Sequence, residues 1–294
     1  MKDCLDYPEL MYLYPNLQTF IRFLNSSPNV VLVPSFAIGE ASQDYVMKVY
    51  YAYELFIRFY CPNYINAHNG INKFAFKKHE SKFSQLDEKH QLLISLFYTC
   101  SLCMLICKLQ YGNNKFMEQG YIIGLLMMKL ESACGVLPAF VIEVAKFVFF
   151  KDDSKEWAHS DSLSSIRKNF GKSGGDILHA ALNIAFDLFL IFISSAGDKR
   201  LLDGIPQDLW LVTADSGVAE FSKFLNYKDG KGSFEPKRDD FMGNSKYWQT
   251  CDQWHMGFRK IFPQRVKANE VDHDKLLKKI KELETELQGL KHAK

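Results

Sequence analysis

The spacing of apolar and polar positions marks helices along most of this chain and strands at two places. Pro15 to Leu24 has the 3.6-residue period of a short amphipathic helix. Asn29 to Pro34 (NVVLVP) is a β-branched run closed by proline, which predicts a buried strand. Helical spacing resumes from Ser35 to Tyr60, with Ile38, Val46, Val49, Leu55 and Phe59 as apolar positions. A stretch rich in Asn, Gly, His and Lys then reads as loop to about Lys82. Leu86 to Phe150 predicts two or three strongly apolar helices, broken near Tyr111-Gly112-Asn113-Asn114 and at Pro138. Lys151 to Gly175 turns polar, and a long helix is expected from Asp176 to Ser195. Leu209 to Thr213 (LWLVT) predicts the second buried strand, and Ala214 to Asn226 a turn into another helix. Beyond the polar Tyr227 to Asn244 segment, Trp248, Trp254, Phe258 and Phe262 predict a helix packed back onto the domain.

The carboxyl-terminal stretch has a heptad pattern. His273, Ile280 and Leu287 fall at a positions and Leu276, Leu283 and Leu290 at d positions, with Lys and Glu on the flanks. Two outcomes fit it: a coiled coil over 272–293 that joins a second copy or a partner protein, or a terminal helix packed within the chain. The expected organisation is a domain over 1–265 with a helical insertion at about 61–150, followed by the 266–294 tail.

Composition alters this picture little. Hydrophobic residues are 47% and charged residues 24% of the chain, a globular balance that rules out wholesale disorder. A net charge of +2 argues against gripping nucleic acid by bulk charge, so any phosphate affinity must be local or carried by metal. Seven cysteines, an odd count among apolar neighbours, point to reduced thiols and a cytoplasmic setting. Gln91 to Cys107 and Ile177 to Ile193 are apolar enough to raise the question of a membrane span. Asn183 and Asp187 in the second, and the even flanking charge of the first, favour helices buried in a core and no membrane partner.

Three acids sit where strands or glycines turn into helices. Glu40 follows NVVLVP, Asp176 follows Gly174-Gly175, and Asp215 follows LWLVT. In open α/β sheets ligands gather at the carboxyl ends of strands. Carboxylates collected there need a cation, and oxygen-only ligands suit Mg²⁺ or Mn²⁺. Two such ions can activate water and stabilise the leaving oxygen in phosphodiester hydrolysis. Each acid also has a plainer role: Asp176 as a helix N-cap, Asp215 as a turn residue, Glu40 as a complement to a helix dipole.

LWLVTADSGVAEF resembles the late motif of PIN-like domains, and GGDILHAALNIA their earlier motif of an aspartate opening an alanine-rich helix. VVLVPSFAIGEAS resembles the segment that carries the family's glutamate. The resemblance covers about residues 1–60 and 170–226. It implies an α/β fold, a Rossmann-like parallel sheet flanked by helices, and a metal-dependent nuclease. Glu40, Asp176 and Asp215 would then be metal ligands, with Asp6 as the early aspartate and Thr213 in support of Asp215. RNA is favoured over DNA as substrate, and a toxin or defence role fits the family. Apart from the resemblance, Lys172 and Lys168 with Arg167 could meet a substrate phosphate near Asp176, and a solvated loop is the plainer reading of the same residues. The alternative is an inactive scaffold or binding module of the same fold, acting through its C-terminal helix.

Other signals carry less. Gly171-Lys172-Ser173 resembles the end of a phosphate-binding loop, but Ile166 stands where that loop needs glycine. Cys100, Cys103 and Cys107 have helical spacing in an apolar run and read as small core residues. His179, His159 and His255 have no nucleophile arranged beside them, and Tyr247, Trp248 and Trp254 read as core aromatics.

Overall fold

The computed structural model describes residues 15–27, 30, 32, 46–67, 82–86, 88–112, 119–150, 176–196, 201–202, 205–206, 225–228, 233–236, 245–261 and 272–292. The chain divides into two units, Met1–Ser81 and Lys82–Lys294, and each has its own core.

In the first unit, α1 (Pro15–Ser26), α2 (Val46–Tyr60) and α3 (Pro62–Ala67) are helical. Leu24, Tyr50, Tyr53, Phe56, Ile57, Cys61 and Tyr64 form its buried cluster, with Phe20 and Ile21 packed against it. Pro62 is tolerated because a proline at the first helical position lacks only an N–H that has no helical partner anyway. The corner between α2 and α3 is tied by Asn25, whose amide donates to Tyr60 O at 2.9 Å and whose carbonyl accepts from Asn63 N at 3.2 Å. The Tyr64 hydroxyl accepts from Leu32 N at 3.1 Å, satisfying a backbone group that no strand partner takes up among the described residues.

In the second unit a short 3₁₀ turn, Phe83–Gln85, precedes α4 (Glu88–Tyr111), α5 (Gln119–Cys134), α6 (Ala139–Phe149) and α7 (Ile177–Ala196). Two small hairpins follow: β1 (Leu201–Leu202) with β2 (Ile205–Pro206), and β3 (Leu225–Lys228) with β4 (Ser233–Pro236). Helices α8 (Lys246–Ile261) and α9 (His273–His292) close the order.

Helix α4 is the axis of this unit and packs against α5, α6, α7 and α9. A helix touched on most of its circumference must be apolar nearly all round. Leu102, Cys103, Met104, Ile106 and Cys107 are accordingly buried on successive faces. Its buried hydroxyls are satisfied within the fold. Thr99 Oγ1 donates to Ser95 O at 2.8 Å, and Ser101 Oγ lies 2.9 Å from Tyr98 O and 2.8 Å from Ala181 O on α7. Length and composition alone would let Gln91–Tyr111 cross a membrane, yet 72% of its most apolar window is buried inside the protein.

Helices α5 and α8 approach closely because glycines face α8. A Cβ on Gly120 would stand 2.6 Å from Thr250 Cγ2, and one on Gly124 would stand 2.6 Å from the Trp254 ring. After α5 the chain turns at Gly135, whose φ of +67° is a left-handed value that glycine adopts without strain. Helix α9 lays Leu276, Ile280, Leu283 and Leu287 inward, mainly against α4. Glu286 on α9 takes Lys129 Nζ of α5 at 2.8 and 2.9 Å. The heptad pattern thus faces the chain's own helices.

The expected Rossmann-like parallel sheet, and with it the PIN-like resemblance, is corrected by this architecture. The described residues are overwhelmingly helical, and their strand pairs are short antiparallel ladders. A parallel sheet needs crossover helices covering both its faces. Here the apolar helices bury their surfaces on one another, so the described architecture is all-α. The two runs read as strands, NVVLVP and LWLVT, fall largely outside the described residues. Val30 and Leu32 of the first are described and carry no strand.

Candidate functional site

Of the acids expected to bind metal, the structure describes Asp176. Glu40, Asp215 and Asp6 lie outside the described residues, as do Thr213, Lys172 and Lys168. Asp176 is exposed immediately before α7. Its Oδ1 accepts from Leu178 N at 3.0 Å, and its carbonyl accepts the first helical bond, from Ala180 N at 3.0 Å. That is the geometry of an N-cap, which occupies one carboxylate oxygen and fixes where the helix begins. His179, one turn on, lies 3.4 Å from the Asn183 amide and stays on the surface of α7.

Asp176 also acts on a buried phenol. Tyr98 donates to Glu284 Oε1 of α9 at 2.8 Å and stacks on Phe83 with centroids 4.6 Å apart. Burial, then the charge and hydrogen bond of Glu284, then the charge of Asp176 hold Tyr98 protonated well above the ordinary phenol range. Two carboxylates therefore bear on one neutral donor. Among the described residues no three His, Cys, Asp or Glu side chains gather as a metal site would require.

A second polar group lies between α6 and α8. Lys146 Nζ is 2.7 Å from Glu143 Oε1 and 3.3 Å from Asp252 Oδ1, and His255 Nδ1 is 3.6 Å from the same Glu143 oxygen. Lys146 and Glu143 are almost fully buried, while Asp252 and His255 open toward solvent. Tyr247 donates to Lys146 O at 2.6 Å and adds a neutral tie between the same helices. Glu143 Oε2 has no hydrogen-bond partner, nor does the buried Trp248 Nε1. Buried charges persist only when compensated. This network is read as a clamp joining α6 to α8. Sequence reasoning passed over it, although a signal was present: Glu143 and Lys146 are the charged residues in the apolar run AFVIEVAKFVF, at helical i, i+3 spacing.

The thiols form a third group. Cys100 is held well above the usual thiol range by its hydrogen bond with Cys134 and then by burial, and Cys103 by burial. Burial likewise pushes Cys107 and Cys251 up to about 12. A nucleophilic or metal-binding cysteine needs a thiolate. These are packed, protonated side chains.

The fourth feature is a surface. On α2 the side chains of Tyr51, Leu55 and Phe59 are 57%, 56% and 70% exposed. Their i, i+4, i+8 spacing makes one ridge, bordered by exposed Lys48 on one side and by Glu54 and Arg58 on the other. The opposite face, Tyr50, Tyr53, Phe56 and Ile57, fills the core of the first unit. The helical period expected from Ser35 is seen over 46–60, its earlier part lying outside the described residues, and Val49, Leu55 and Phe59 lie on the outer side.

No known protein family, curated protein or solved structure matches this chain.

Proposed function

We propose that this chain is a helical binding module that docks another macromolecule through the exposed ridge of α2. The observation that carries this reading is the double-sided apolar character of that helix. One face fills a core, and the other presents Tyr51, Leu55 and Phe59 to solvent, each more than half exposed. Isolated exposed apolar residues are ordinary, but a continuous ridge with charged borders is a mark of interaction surfaces. Aromatic side chains give the largest contact energy at low entropic cost, which is why they dominate binding hot spots. Leu276, Ile280, Leu283 and Leu287 of α9 are buried within the chain, so in this packing the C-terminal helix offers its polar side. A photo-crosslinking phenylalanine analogue at position 59, in cells expressing the full chain, is expected to give a discrete adduct that Leu55→Glu abolishes. The absence of any adduct heavier than the chain would overturn the reading.

A second reading, a divalent-metal-dependent nuclease favouring RNA, has the support of Asp176. Its carboxylate is exposed at the start of a 20-residue helix. Mg²⁺ or Mn²⁺ would supply the activated water in this reading. Purified protein with Mn²⁺ is expected to cleave single-stranded RNA, and Asp176→Asn, which can still cap α7, to lose that cleavage. Equal rates for the two proteins would remove Asp176 from any catalytic role.

A further inference from the structure

We infer that the occupant of the α2 ridge is a second copy of this chain, docked antiparallel across a two-fold axis at Leu55. The inference rests on the docking function proposed above and names its partner. The order of side chains along the ridge, and the charges on its flank, suit pairing with a second copy. In a two-fold pair every residue meets the image of another at a fixed sum of positions. With Leu55 against the partner's Leu55, Tyr51 falls against the partner's Phe59 and Phe59 against the partner's Tyr51. Aromatic rings thus meet at both ends of the contact and the branched aliphatic side chain fills its centre.

The charges agree with this register. Glu54 and Arg58 lie on one flank of the ridge. Antiparallel helices bring like flanks together, so Glu54 faces the partner's Arg58. With a rise of 1.5 Å per residue the two stand about 3 Å apart along the axis. Symmetry supplies the reciprocal pair. Glu54 is held for this contact, because the Tyr50 hydroxyl donates to its Oε1 from within the same helix. The ridge spans three side chains and their borders, the low end of interface sizes, so the dimer is expected to dissociate on dilution.

Sedimentation of the purified full-length chain over a range of concentrations tests this. The expected result is a mass rising from 34.0 kDa toward twice that value, with Leu55→Glu remaining at 34.0 kDa. Arg58→Glu should weaken association at least tenfold by setting like charges together, and Glu54→Arg combined with Arg58→Glu should restore it. Circular dichroism of each variant, unchanged from the parent, shows that the fold is kept. A mass of 34.0 kDa at every concentration overturns the inference, as does an unchanged dimer in Leu55→Glu. If the position-59 crosslink in cells then gives an adduct of some other mass, docking through α2 stands while self-association falls. If it gives none, both fall.

Discussion

At the scale of single residues, two kinds of buried polar group govern what this protein tolerates. Lys146 compensates Glu143 in a site almost closed to water. Lys146→Ala would leave that carboxylate uncompensated, and the expected loss of stability is about 3–5 kcal/mol by urea unfolding. Glu143→Gln combined with Lys146→Met removes both charges and should cost less than the single change. Buried thiols contribute to stability on the alkaline side. Cys107 and Cys251 are raised from 9.0 to about 12 by burial, so between those values the unfolded chain releases protons that the folded one keeps. Their contribution is whole below pH 9.0 and declines as pH rises toward about 12. The urea midpoint is expected to fall across that window, and to fall less steeply with Cys107→Ala and Cys251→Ala together. Asp176 belongs to this scale too. Its capping bond to Leu178 N is local chemistry, legible from Gly-Gly-Asp before an apolar run.

At the scale of elements, the helices were legible and their faces were not. The breaks at Gly112 and Pro138 divide 86–150 into α4, α5 and α6 where glycine and proline predict. The long helix after Asp176 and the aromatic helix after Ser245 also stand where their apolar spacing puts them. Periodicity finds a helix but assigns a face only when one side is polar. On α2 both sides are apolar, and the side that entered the core is set by Tyr50, Tyr53, Phe56 and Ile57. The contact of α5 with α8 depends on Gly120 meeting Thr250 at a distance no Cβ allows. Gly120→Ala is therefore expected to destabilise by roughly 1–3 kcal/mol through overpacking, despite the better helix propensity of alanine. A thermal midpoint equal to or above that of the parent would show that α8 can move away without cost.

At the scale of the whole molecule, the α/β expectation failed for a definable reason. It rested on short motifs around acids and on two β-branched runs, while most of the apolar sequence lay in helices too long to be connections. Chain stretches such as 88–111 and 177–196 carry enough apolar surface to cover one another, and helix-on-helix burial then satisfies them without a sheet. The heptads of 273–292 had two allowed outcomes; in the single chain Leu276, Ile280, Leu283 and Leu287 are buried within it, and Lys129 pairs with Glu286. Truncation before Asp272 is expected to expose α4 and lower solubility, read as aggregation in light scattering. An unchanged, soluble and equally stable truncated chain would show that α9 is dispensable to the fold.

The sequence by itself marked the helices opened by Pro15 and Asp176 and the breaks near Gly112 and Pro138, because capping, glycine, proline and apolar period act over a few residues; it did not mark α3, which lies in a stretch read as loop, nor β3, whose Leu225 and Asn226 were read as the end of a helix. It also showed that α4 would avoid water along most of its length, in a core or in a membrane, and the packing placed that length in the protein's core. The tertiary structure alone decided which neighbour each face would meet. Glu143 and Lys146 lie one turn apart, but Lys146 met Asp252 and Glu143 met His255, both far along the chain on α8, and the ridge of α2 remained outside because the other face filled the core. Such pairings depend on contacts distant in sequence, whose energies no local pattern records.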